Sequence, residues 1–169
     1  MIDENISLRR IFDVIKEIAS KHKMLADNDI GDKASRGSSK GQEQDETPRE
    51  LKFPYLFTDT AGTDLEVGQG GSIQAKTYKI NLFVADKHSD NAKNDVDILS
   101  DTNSILTDLI MYFSQNPTLK KYIIGIGTTT LEAARHTTIQ EAYGHQCILH
   151  IKVRAAVCWE LLPFTDANC

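Results

Sequence analysis

Three groupings of polar side chains have residue types that could do chemistry. The first is Asp86-x-His88-x-Asp90, followed by Asp97. Acids at alternate places open a calcium loop. Such a loop also wants an acid or amide at its third position, Gly at its sixth and Glu at its twelfth. Here those places hold His88, Asn91 and Asp97, and the residues before them alternate as a strand, where a calcium loop follows a helix. The structural reading of the same side chains is simpler. Asp90, Asn91 or Asn94 accepts from backbone N–H groups at the start of the next helix. Asp95 and Asp97 then stand in its first turn, where the positive end of the helix dipole favours carboxylates.

The second grouping is His136, His145 and His150 with Cys147 and Cys158. A histidine close to a cysteine can draw off its proton and make a thiolate nucleophile. Strand parity opposes that pairing. Cys147 and His150 fall on opposite faces, and Cys158, on the face of His150, is eight residues away. The third grouping, Gly68-Gln69-Gly70-Gly71, lacks the Lys-Ser/Thr and the helix that complete a phosphate-binding loop, and reads as a turn. Arg9, Arg10, Lys21, Lys23, Lys33, Arg36 and Lys40 make the first third locally basic. Acids are interleaved among them and aromatic stacking platforms are not. No catalytic, cofactor-binding or metal-ligating residue is assigned from these patterns, and the expectation is a non-enzymatic chain without cofactors.

The elements that would carry these groups centre on residues 77–113. Tyr78, Ile80, Leu82 and Val84 alternate with polar residues as a strand with one face on a core. Leu99, Thr102, Leu106, Leu109, Ile110 and Phe113 then recur at helical spacing. A first helix is predicted over 5–22, with Leu8, Ile11, Phe12, Ile15, Ile18 and Ala19 on one face and Asn5 or Asp3 as its cap. The second helix is predicted over 95–114 and ends at Asn116-Pro117.

Residues 51–58 read as an edge strand containing Pro54. Residues 59–71 read as a turn-rich connection in which Leu65 and Val67 form a short strand. Residues 122–126 alternate as a strand with a bulge near Gly125, 128–139 as a further strand, and 141–145 as a turn at Gly144. From Cys147 to Trp159 the alternation is the cleanest in the chain. About fifteen residues span roughly 50 Å, so one end should bend or pair with a neighbouring subunit. The fold class is therefore α+β, a small, mostly antiparallel sheet flanked by two main helices, in a single domain over 1–169.

Residues 23–50 are different. Between 27 and 50 the only aliphatic side chain larger than alanine is Ile30, among glycines, serines and mixed charges. Such a composition builds no core of its own. It is expected to be an extended arm lying against a partner, and removal of residues 27–48 should leave the core folded and weaken assembly. The net charge of −5 gives no global attraction to nucleic acid or to an anionic membrane. No apolar run reaches the roughly 18 residues of a membrane helix, and the first residues lack the basic and apolar regions of a secretory signal. Three well-separated cysteines fit free thiols in a reducing compartment.

These pieces together are familiar. An amphipathic first helix precedes Phe53-Pro54-Tyr55-Leu56-Phe57. A strand over 78–86 then leads through an acidic loop into Ile98-Leu99-Ser100-Asp101-Thr102, and Gly144 precedes a long amphipathic strand and Pro163. The pattern resembles the tail-terminator-like and neck ring proteins of tailed bacteriophages, including those of crAss-like phages, over most of residues 5–164 except the arm. The resemblance implies a virion protein assembled in the host cytoplasm. It implies a hexameric or dodecameric ring of copies of itself that contacts neck, portal or tail proteins and lets DNA pass through its lumen unread. The alternatives are a cytosolic adaptor or nucleic-acid-binding module, or a small hydrolase.

Overall fold

A computed structural model describes residues 6–28, 52–68, 73–87, 94–135 and 142–157, with the backbone alone at 27–28 and 155–157. Helix α1 is Leu8–Lys21. The Ser7 hydroxyl caps it by accepting from the Arg10 N–H, so the cap falls later in the chain than Asn5 or Asp3. Ile11, Val14, Ile15, Ile18 and Ala19 are buried along one stripe, and Leu8 and Phe12 are half-buried at its margin. Each buried aliphatic side chain contributes roughly 1.5–3 kcal/mol through the surface it removes from water.

The residues after α1 do not leave the domain at once. The Leu25 N–H donates to the His22 carbonyl and the Ala26 N–H to the Pro54 carbonyl. Strand β1, Asp27–Asn28, lies parallel to the start of the next strand. The first six residues of the expected arm, 23–28, therefore belong to the folded unit, and 29–51 lie outside the described residues.

Strand β2, Tyr55–Val67, and strand β3, Ile73–Lys87, form one long antiparallel hairpin. The expected turn-rich connection at 59–67 is instead strand. Gly62 does not break it, because the extra residue between Thr60 and Gly62 is taken up as a bulge and Gly62 supplies the positive φ needed there. Helix α2 is Asp95–Gln115. Its stripe is Ile98, Thr102, Ile105, Leu106, Leu109 and Phe113, so Ile98 and Ile105 occupy the core in place of Leu99. Asn116 ends α2 and caps the short helix α3, Pro117–Lys120.

Strands β4 (Ile123–Thr128), β5 (Glu132–Arg135) and β6 (Ala142–Val157) complete the sheet. Its order is β1-β2-β3-β6-β4, with β5 also paired to β6. All pairings except β1–β2 are antiparallel, so the α+β class holds. The extra residue near Gly125 is a bulge, as its spacing suggests. β3 matches the sixteen residues of β6 from Lys87↔Ala142 to Ile73↔Val157, so the length of β6 is met within the chain on that side, while on the other side β5 pairs residues 143–146 and β4 pairs residues 149–153. Residues 142–145 are strand and not a turn.

Both main helices cover the same face of the sheet. Leu56, Ile80, Leu82, Val84, Cys147, Leu149, Ile151 and Val153 meet the α1 and α2 stripes in one cluster. The other face carries an aromatic row, with Tyr55 and Phe57 rings 4.5 Å apart and Phe57 stacked on Phe83 at 5.7 Å.

Candidate functional site

The alternation of β6 decides the geometry of the second grouping. Cys147 points into the core and is 4% exposed. Burial pushes its thiol up to about 11, so it stays protonated near neutral pH. His150 has the opposite parity, on the face away from the helices, between Lys79 of β3 and Gly127 of β4. The separation expected from parity is what the fold has. His136 and Cys158 lie outside the described residues, as do His88, Asp90, Asn91, residues 69–72 and the basic residues Lys33, Arg36 and Lys40.

At the other end of β6 the polar residues knit α2 to the sheet. Asn94 and Asp97 form a reciprocal capping box: the Asn94 side chain accepts from the Asp97 N–H at 2.9 Å, and the Asp97 carboxylate accepts from the Asn94 N–H. The Tyr143 hydroxyl donates to Asp95 at 2.5 Å. Its pKa is pushed up to about 12, first by burial and then by the bond to that carboxylate. Thr102, fully buried, donates its hydroxyl to the Ile98 carbonyl at 2.8 Å, and its oxygen is in hydrogen-bond contact with Nδ1 of His145 at 3.2 Å. Burial lowers the His145 pKa, partly offset by a hydrogen bond to the Leu99 backbone. Asp86, 5% exposed, accepts from the Lys87 N–H at 2.8 Å. Among the described residues no group of three or more His, Cys, Asp or Glu is placed to hold a metal, and no helix is long and apolar enough to cross a membrane.

What stands out instead is exposed apolar surface in two places. The first is a cleft of about 460 Å³ between α1 and α2, lined by Ile18, Lys21, His22, Leu109, Met111 and Tyr112 among others. Met111 is 62% and Tyr112 56% exposed. His22 and Asp108 meet across it at 3.4 Å. The second is the far half of the β2–β3 hairpin. Leu65 and Val67 are more than half exposed there, while Asp64 and Glu66, which alternate with them, are tied to Lys79 at 2.7 Å and to Lys152 at 2.5 Å. Helical spacing selects the buried stripe of α2 and leaves Met111 and Tyr112 as ordinary surface. The signal available in the sequence is two large apolar residues adjacent and off that stripe.

No protein-family model matches the chain, and no curated protein matches it.

Proposed function

We propose that the chain is a structural subunit that closes into a ring with copies of itself, in the manner of the tail-terminator-like and neck ring proteins whose pattern its sequence resembles. The observation that carries this reading is a pair of separate exposed apolar surfaces, one on the sheet and one on the helices. The far half of the β2–β3 hairpin carries the exposed Leu65 and Val67, while the helical layer offers a separate apolar cleft. Two unlike apolar surfaces on one chain suit a heterologous contact, which generates a ring when the rotation closes. The β4–β5 side of the sheet offers further surface for neighbours in a neck or tail stack. A lumen lined by some of the chain's excess acids would let DNA slide without adhering. Such a subunit acts in a virion, after assembly in the host cytoplasm.

The test is native mass spectrometry with negative-stain imaging of the purified chain across a concentration series. Closed rings of six or twelve copies are expected. A monomer at every concentration, or open filaments alone, overturns the reading.

A further inference from the structure

The sheet has two open edges among the described residues. On one side β1 pairs β2 only at Tyr55 and Leu56, and no described strand pairs residues 59–67 on the side away from β3. On the other side no described strand pairs β4 on the side away from β6. An open edge presents a row of backbone donors and acceptors, and proteins ordinarily blunt it with charge or proline. β4 reads Ile-Ile-Gly-Ile-Gly-Thr and has neither, and Ile124 is 48% exposed. Gly127 is a second sign. Its φ lies outside the left-handed region and a Cβ on it would meet nothing within 4 Å, so its own chain does not call for glycine there. Glycine inside a strand suits the close approach of another backbone.

The register shows which backbone fits. Ile123 pairs with Val153, Val153 with Lys76 and Lys76 with Leu65, so Ile123 and Leu65 stand on one level across the sheet. Ile126 is level with Thr63 through Ile151 and Tyr78, and Thr128 with Thr60 through Leu149 and Ile80. The open stretch of β2 therefore lies at the height of β4. Direction agrees as well. The β2–β3, β3–β6 and β6–β4 pairings are all antiparallel, so β4 runs opposite to β2. A copy carried round an axis parallel to the strands keeps its strand directions, its height and the side on which its helices lie. Its β2 arrives antiparallel beside β4, with Leu65 opposite Ile123 and Thr60 opposite Thr128. Directly paired residues share a face of a sheet, and Val153 is buried in the core, so Leu65 and Ile123 fall on the helical side. A trough of about 250 Å³ lies there beside β4, lined by Phe113, Leu119, Ile123 and Ile126 among others, to take the neighbour's Leu65.

We infer that copies join edge to edge: residues 60–65 of one copy add as an antiparallel strand to β4 of the next. The inference rests on the reading that copies close into a ring, and it names the contact by which they do so. Each join covers one edge of either sheet, and closure leaves neither edge open at this level.

The test uses the full chain with Cys158 and Cys169 replaced by serine and with Thr60→Cys and Thr128→Cys added, both at exposed positions. Within one chain these positions are three strand spacings apart, about 14 Å, beyond the reach of a disulfide. Every bond between them therefore joins two copies. After mild oxidation the products are examined by non-reducing gel, peptide mass mapping and negative-stain imaging. The expected result is a bond between positions 60 and 128 within closed rings. That bond in assemblies that do not close supports edge pairing and overturns the ring. Rings without the bond overturn edge pairing and leave the ring standing. Dimers bonded from 60 to 60 show β2 paired with β2 and overturn both. A monomer without any bond overturns both. As a check independent of cysteine, Gly127→Lys places a charge on the β4 edge where there is room for it. It should leave the far-ultraviolet circular dichroism unchanged and weaken association at least tenfold; unchanged association counts against the inference.

Discussion

Gly144 of β6 sits opposite Ala85 of β3 so closely that a Cβ on it would overlap the Val84 carbonyl oxygen and lie 3.0 Å from both the Ala85 Cα and the Thr102 methyl. The sheet and α2 meet here with no room for a side chain. Two of the three obstacles are backbone, which cannot swing aside, so Gly144→Ala should destabilise the fold by about 3 kcal/mol, the upper part of the usual range for overpacking. Urea unfolding measures it. A loss below about 0.5 kcal/mol would mean that the strands separate here at little cost.

The contact between Thr102 and His145 one residue further along gives the fold a pH dependence. Burial holds the His145 pKa below its ordinary value of 6.5. The unfolded chain therefore takes up a proton on this residue more readily than the folded one. The neutral ring's contribution is present above pH 6.5, and it is lost progressively as pH falls from there through the lower folded value. The urea midpoint should decline between pH 7.5 and pH 5, and His145→Gln should flatten that decline. An equal slope in the two proteins would assign the dependence to other groups.

Cys147 should behave as a core thiol. Its raised pKa and 4% exposure together predict no alkylation by iodoacetamide at pH 8 in the folded protein, and full alkylation in urea. Peptide mass mapping distinguishes Cys147 from the other two cysteines. Rapid labelling of the native protein at this peptide would show that β6 opens locally.

Where a residue's fate depends on near neighbours in sequence, the pattern is readable. The alternation of Tyr78 to Val84 and of Cys147 to Val153 places their core faces correctly, and Asn94, one of the three candidate caps of α2, is the cap. The differences concern pairing across long separations. Glycines at 62 and 144 suggest turns when viewed locally. In the sheet one fills a bulge and the other permits a close approach, and both needs arise from β3, which lies far from Gly144 in sequence. The same holds for β6, whose length is excessive for a small sheet only while the matching length of β3 is out of view. The α1–α2 cleft leaves a single mark in the sequence, the adjacent apolar pair Met111 and Tyr112 off the buried stripe of α2. It exists because two separate helices bring Ile18 to His22 and Asp108 to Gln115 side by side, with Ile18 and Leu109 buried at the floor and Met111 and Tyr112 exposed at the rim.

The β2–β3 hairpin gives the sharpest separation between folding and assembly. Leu65 and Val67 are 53% and 60% exposed, so replacing both with serine removes little buried area. The weaker strand propensity of serine at two exposed sites costs at most about 1 kcal/mol, partly resisted by the Lys79–Asp64 and Lys152–Glu66 bridges that hold the same strands. If this end of the hairpin meets a neighbouring copy, the double substitution strips two apolar anchors from the interface, enough to shift the association midpoint about tenfold or more. Leu65→Ser with Val67→Ser should therefore leave the unfolding midpoint nearly unchanged and reduce the fraction of closed rings seen in native mass spectra at a fixed concentration. Rings formed at the wild-type concentration by the doubly substituted chain would remove the hairpin from the interface and leave the helical cleft to carry it.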